Sequence, residues 1–131
     1  MTKILAKVSK GTKSQEVEFL VDSGATYTLL PEKVWKEFRL KPMREVTFFL
    51  ADGTTIKRKI SEIRLEYQGL YGTPPVILGE KDDEALLGVL TLETLGLVLN
   101  PFTRELVSMK MMLAKIYSTE LKRRSLDETP S

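Results

Sequence analysis

The stretch Phe19-Leu20-Val21-Asp22-Ser23-Gly24-Ala25-Thr26 decides the fold. Three apolar residues lead into an acidic one, and Ser-Gly follows at once, which is typical of a strand that runs into a tight turn. Surface carboxylates usually follow polar residues, whereas a carboxylate at the end of an apolar strand is rarely kept without a partner or a chemical task. The pattern predicts that Asp22 is one half of a catalytic pair of carboxylates.

The composition restricts the chemistry that could accompany Asp22. The chain has 131 residues and is 42% hydrophobic, which fits one domain with a real core. It contains neither Cys nor His, so thiol nucleophiles, Ser-His triads, disulfides and most zinc sites are excluded. A net charge of +2 gives no reason to expect nucleic acid or a membrane surface as a partner. Carboxylate, Lys, Tyr and hydroxyl chemistry remains, and we expect no cofactor and no metal.

The sequence shows no sign of membrane insertion or export. No basic segment precedes an apolar one at Met1, and no apolar run approaches the roughly 18 residues that a membrane span requires. The lack of Cys agrees with a reducing compartment. These features predict a soluble, cytoplasmic protein.

Alternating and β-branched segments predict a domain that is mostly β. Strands are expected over residues 3–8, 16–21, 46–50, 54–60, 63–67, 76–78, 97–99 and 106–113. Short helices are expected after Pro31 and over residues 89–95. From residue 118 the chain becomes polar, so we expect a domain over residues 1–117 and a mobile tail over residues 118–131.

Two carboxylates that share one proton can hydrolyse a peptide without metal, Cys or His. The ionised carboxylate activates a water molecule while the protonated one polarises the carbonyl. Held about 3 Å apart, the two groups cannot both ionise. Asp-Ser-Gly occurs once in the chain, so the second carboxylate has to come from another copy across a two-fold axis beside Asp22. The mechanism therefore predicts a homodimer.

The chain resembles the retropepsin-like aspartic proteases, the single-lobe homodimeric kind found in retroviruses and in stand-alone cellular relatives. The Asp22 stretch resembles the catalytic turn of that family, and Ala85-Leu86-Leu87-Gly88 resembles its second signature before the late helix. Asp52-Gly53 lies between two strand-like runs, which predicts a hairpin where the family has its flap. The resemblance implies a fold that is all-β for the most part. Its expected architecture is a closed acid-protease barrel with a flap hairpin and one or two short helices.

The resemblance also implies an aspartic-type endopeptidase that acts on a polypeptide substrate as a homodimer. Asp22 would carry the chemistry, the Ser23 hydroxyl would bond across the dimer axis, and the Gly24 carbonyl would meet the substrate backbone. Ala25 completes the turn. The implied flap contacts to substrate come from Leu50, Ala51, Asp52 and Gly53, and the structural signature consists of Leu86, Leu87 and Gly88.

Some features depart from the family pattern and leave alternatives open. Thr26 and Tyr27 replace the acidic residues that retroviral members often carry after the turn, so substrate preference is not carried over. A catalytically silent dimeric module of the same fold could bind or scaffold peptides, and a hydrolase that uses oxygen ligands around a metal is a third possibility. We interpret the acidic run over residues 82–84 as a solvated loop, because it lacks the spacing of a calcium loop.

Overall fold

The computed structural model describes the backbone of residues 1–127 and the side chains of residues 1–121 and 123. It is 43% strand and 22% helix, which confirms the prediction of a mostly β protein. The chain divides into two units, Met1–Leu95 and Gly96–Ser131. None of the helices within residues 1–127 combines the length and the apolar character that a membrane crossing requires.

The first unit is one curled sheet with two short helices. Its elements are β1 (Lys3–Lys10), β2 (Lys13–Val21), β3 (Thr28–Leu30), α1 (Glu32–Glu37), β4 (Arg44–Phe49), β5 (Thr55–Glu62), β6 (Arg64–Tyr67), β7 (Leu70–Gly72), β8 (Pro75–Leu78), β9 (Leu86–Leu87) and α2 (Val89–Leu95). The nine strands follow the order β4-β5-β8-β3-β9-β2-β1-β6-β7, so β4 and β7 are the edges. The predicted retropepsin-like barrel is present as a half-barrel, with the flap hairpin and both short helices.

The core is built by alternation along the first two strands. Ile4, Ala6 and Val8 of β1 are buried, and Leu5 and Lys7 between them are exposed to solvent. In β2, Val17 and Phe19 are buried on the same period of two. Phe19, three residues before Asp22, is fully buried. The hydrophobic core therefore anchors the strand that carries Asp22.

Two turns are tighter than the sequence suggested. The first two strands were expected to end at residue 8 and to begin at residue 16, but β1 and β2 pair as far as Lys10 and Lys13, because polar side chains are tolerated on the solvent-exposed face of a strand. Strand β7 was not predicted. Gln68 and Gly69, with φ of 48° and 81°, form a two-residue turn that reverses the chain directly after β6, and β7 follows as its antiparallel partner.

The second unit contains β10 (Leu97–Leu99), β11 (Leu106–Ser108) and α3 (Met109–Asp127), and here one prediction was wrong. A strand was expected as far as residue 113, but the strand ends at Ser108 and a helix begins. The Ser108 hydroxyl accepts a hydrogen bond from the Met111 amide at 3.0 Å, which is an N-cap. Met, Leu, Ala and Lys then follow, and these residues favour helix over strand.

The predicted boundary after residue 117 does not coincide with the end of an element. Helix α3 continues to Asp127, where the sequence indicated no regular structure. Residues 128–131 of the predicted tail lie outside the described residues. The division into a 1–117 domain and a mobile tail stays a prediction.

Candidate active site

Asp22 is the first residue after β2, and its backbone is held by β9. The end of β2 pairs in parallel with β9, with Leu20 opposite Leu86 and Val21 opposite Leu87. The Asp22 amide donates a further hydrogen bond to the Leu87 carbonyl at 3.0 Å. The structure thus brings the two predicted motifs together, and the second signature fixes the backbone position from which the Asp22 side chain extends.

The turn after Asp22 orients that carboxylate. Its Oδ1 accepts a hydrogen bond from the Gly24 amide at 2.9 Å, and its carbonyl accepts one from the Ala25 amide at 3.1 Å. Asp commonly closes such turns by accepting from the amide two residues on. Asp22 is half-buried, whereas Ser23 and Gly24 are exposed. The turn therefore presents a fixed carboxylate at a surface that a second molecule can reach.

Helix α2 braces the turn from the other side. The Val89 amide donates to the Ala25 carbonyl at 2.8 Å, and the Leu90 amide donates to the Thr26 carbonyl at 3.0 Å. These amides belong to the first turn of the helix, where they have no partner within the helix. The start of α2 thus satisfies its own free donors with the carbonyls of the candidate catalytic turn.

A buried pair of threonines, which was not predicted from the sequence, completes this brace. The Thr28 hydroxyl accepts a hydrogen bond from the Gly88 amide at 3.0 Å and shares another with the Thr91 hydroxyl. Both threonines are fully buried. A Thr within the apolar residues of α2 was the available signal, because a buried hydroxyl needs a partner. The partner lies 63 residues away, which a local pattern does not reveal.

Gly88 is required by close approach of the backbone. A Cβ atom at this position would lie 2.4 Å from the Tyr27 carbonyl oxygen and 2.9 Å from the Ala25 carbonyl oxygen. Both obstacles are main-chain atoms of the turn, so they cannot rotate away. This explains in physical terms why glycine ends the second signature.

Replacing Gly88 by Ala is expected to destabilise the fold by about 3 kcal/mol, the upper range for overpacking a tight site. Urea denaturation with a constant m-value measures this change. Gly11→Ala is the matched control, because a Cβ there meets open space and only its φ of 61° is strained, at a cost of about 1 kcal/mol. Equal losses in the two variants would contradict the close approach.

The predicted flap is the β4–β5 hairpin. Its strands pair from Arg44 opposite Ile60 to Phe49 opposite Thr55. At the tip, the Leu50 amide donates to the Thr54 carbonyl at 2.8 Å, and Gly53 has a φ of 88° that favours glycine. The predicted substrate contacts of Leu50, Ala51, Asp52 and Gly53 stay a prediction.

Asp52 has a structural part in the flap tip. Its Oδ1 accepts hydrogen bonds from the Thr54 hydroxyl at 2.6 Å and from the Thr54 amide at 3.0 Å. These bonds, the hydroxyl first, hold the pKa of the Asp52 carboxyl below its ordinary value. The turn was predicted from the sequence, but the Asp52 side chain was expected only to contact substrate.

The order of the flap tip is expected to depend on pH. Because the folded-state pKa of Asp52 is lowered, its bonds stabilise the turn fully above the ordinary aspartate pKa of about 3.9. That stabilisation is lost as the pH falls through the lowered folded-state pKa. The amide NMR signal of Thr54 should shift over this range in wild type. Asp52→Asn should abolish the shift, and an unchanged titration in this variant would contradict the assignment.

Tyr27 connects the turn to the flap. Its ring lies edge-to-face with Phe48 of β4, with a centroid distance of 5.9 Å and an interplanar angle of 88°. The Arg44 guanidinium, also on β4, lies 5.9 Å from the Tyr27 ring centroid. From the sequence alone, Tyr27 was distinguished only as a departure from the family pattern.

The acidic run over residues 82–84 forms no metal site among the described residues, where no group of three or more possible ligands comes together. The Asp83 carboxylate instead accepts a hydrogen bond from the Glu80 amide at 2.7 Å. The bond closes the loop that precedes β9.

Two solved protease structures resemble this chain. The solution structure of the simian foamy virus (mac) protease superposes with a TM-score of 0.52 at 22% identity, covering 70% of this chain and 92% of that one. The crystal structure of a retropepsin-like aspartic protease from Rickettsia conorii gives a TM-score of 0.44 at 27% identity, covering 76% of this chain and 83% of that one. No curated protein sequence matches the chain.

The foamy virus likeness shows that the fold is shared. A sequence model of the family described as gag-polyprotein putative aspartyl protease matches residues 11–94. That range is more than half of the chain, and it holds the Asp22 turn, the flap hairpin and the second signature. The chain therefore belongs to the gag-polyprotein aspartyl protease family and has a retropepsin-like fold.

Proposed function

We propose that this protein is an aspartic endopeptidase whose site is formed by the Asp22 carboxylates of two protomers in a symmetric homodimer. One observation carries the proposal. In a chain of this family, the half-buried Asp22 is oriented by the Gly24 amide and held by β9. A carboxylate fixed in this way, beside an exposed Ser-Gly, is prepared for a partner that arrives from outside the chain.

The chemistry follows from two facing carboxylates with one proton between them. The ionised Asp22 takes a proton from water, and the oxygen attacks the peptide carbonyl carbon while the protonated Asp22 donates to the carbonyl oxygen. In the tetrahedral gem-diol that results, one hydroxyl returns a proton to the Asp22 that had donated to the carbonyl oxygen, and the other Asp22 gives the proton it took from water to the leaving nitrogen as the C–N bond breaks. Each carboxylate exchanges its state during one turnover, so the pair ends with one proton as it began.

The dimer supplies the second half of the site. The chain contains one Asp-Ser-Gly, and an isologous contact around a two-fold axis places the same turn from each subunit face to face. The exposure of Ser23 and Gly24 supports this arrangement, since both would meet the axis. In the proposed site the Ser23 hydroxyl bonds to the partner turn.

The substrate is an extended peptide that lies between the flap and the Asp22 pair. Edge strands present free main-chain groups that an extended segment can pair with, and β4 of the flap is such an edge. A cytoplasmic location stays a prediction. The mechanism calls for no cofactor.

The test is proteolysis of an unstructured polypeptide across pH, with wild type and Asp22→Asn side by side. Cleavage by wild type that is absent in the variant supports the proposal. Binding of the polypeptide without cleavage at any pH would contradict it and would favour the catalytically silent module.

A further inference from the structure

Tyr27 connects the turn after Asp22, whose backbone is hydrogen-bonded to helix α2, to the flap, whose outer strand β4 lies at an edge of the sheet. On one side it follows Thr26, whose carbonyl accepts the Leu90 amide at 3.0 Å, and precedes Thr28, which is fully buried in β3. The carbonyl of Tyr27 itself lies against Gly88. The backbone of Tyr27 is therefore fixed to helix α2 and to the sheet interior.

The flap side has less support. Strand β4 is an edge of the nine-stranded sheet, and within residues 1–127 it pairs only with β5. Among its side chains, Val46 and Phe48 are half-buried, and the other four are exposed. A strand with one neighbour and few buried side chains opens at low free-energy cost. The flap is thus the movable partner of the Tyr27 contact.

The contact itself combines two favourable geometries. The interplanar angle of 88° at a centroid distance of 5.9 Å directs the edge of one ring at the face of the other. Arg44 places its cation 5.9 Å from the same Tyr27 ring. The hydrogen bond from the Arg44 Nη2 to the Tyr27 hydroxyl is long, at 3.4 Å, and adds little. The aromatic ring, rather than its hydroxyl, carries the contact.

We propose that Tyr27 is a positioning residue that holds the flap over the Asp22 turn through Phe48 and Arg44. When the flap is already ordered, less conformational entropy is lost as a peptide binds. The effect on turnover rests on the proposed function, whereas the effect on the flap does not. Tyr27 acts through the flap and takes no part in the chemical step.

Hydrogen exchange of the flap amides tests the contact without any need for activity. In Tyr27→Ala, the hydrogen-bonded amides of the β4–β5 hairpin should exchange about five- to tenfold faster, the range expected from losing an aromatic pair and a cation–π contact. Amides of the β1–β2 hairpin serve as the internal reference. Phe48→Ala removes the ring pair from the flap side but keeps the Arg44 contact, so it should speed exchange of the same amides by a smaller factor.

Two further variants separate the ring contact from general effects. Tyr27→Phe keeps the ring and should exchange within about twofold of wild type. Tyr71→Ala is the matched control. Tyr71 lies on β7, at the opposite edge of the sheet, and its ring centroid is 4.2 Å from the guanidinium of Arg64 on β6. This variant should leave flap exchange unchanged. Wild-type flap exchange in both Tyr27→Ala and Phe48→Ala would overturn the proposal.

Turnover gives the second readout. Tyr27→Ala should raise KM about five- to tenfold with kcat nearly unchanged, because peptide binding then has to order the flap and loses that free energy. Tyr27→Phe should restore KM to near wild type. A loss confined to kcat would overturn the positioning role. If wild type cleaves no peptide, the proposed function fails, and the exchange measurement still decides whether Tyr27 positions the flap.

Discussion

Asp22→Asn is expected to lower the rate of peptide hydrolysis by at least about a thousandfold, within the range that general acid–base groups contribute. An amide cannot take a proton from water, and in the variant homodimer both facing side chains are amides, so no carboxylate is left to hold the shared proton. The loss should appear in kcat at every pH, because no protonation state of the variant restores the ionised group. Initial rates on an unstructured polypeptide measure it.

The same substitution should leave the fold intact. The side-chain oxygen of Asn can still accept the hydrogen bond that the Gly24 amide donates to Oδ1, so the turn is preserved. Asp83→Asn is the matched control, because it makes the same charge change in a side chain that also accepts a backbone amide, that of Glu80. This control should retain full activity. Full activity in Asp22→Asn with an unchanged melting temperature would exclude the proposed mechanism.

Inactive subunits are expected to suppress active ones. If each site needs one Asp22 from each of two protomers, a mixed dimer of wild type and Asp22→Asn has a single competent carboxylate and is inactive. In random mixtures, the fraction of fully competent dimers falls as the square of the wild-type fraction. A chain that worked alone would lose activity only in direct proportion. The curvature of activity against composition therefore distinguishes a shared site from an independent one.

Much of the fold and of the site was accessible from local sequence because local rules act there. The apolar run into Asp22, the Asp52-Gly53 turn and the glycine that ends the second signature each reflect a requirement of the backbone within a few residues. Such requirements are visible as residue types at fixed spacing. The β1–β2 and β4–β5 hairpins and the two short helices were predicted for the same reason.

The contacts that brace the site were not accessible in this way. The bond between Thr28 and Thr91 and the ring contact between Tyr27 and Phe48 join residues that are distant in sequence. Only the folded sheet brings them together. The start of α3 was missed for a different reason, since alternation of Met and Lys after Ser108 fits a strand as well as a helix. The capping hydroxyl and the helix propensity of the following residues decided the outcome.

Subunit mixing tests whether one active site uses the Asp22 carboxylates of two protomers. Wild-type and Asp22→Asn chains are unfolded together, refolded at a series of ratios and assayed at constant total concentration, with wild type mixed with Asp83→Asn as the control series. At equal amounts, the account predicts about one quarter of the activity of wild type alone, following the square of the wild-type fraction. A linear decline, with about one half of the activity at equal amounts, would contradict it.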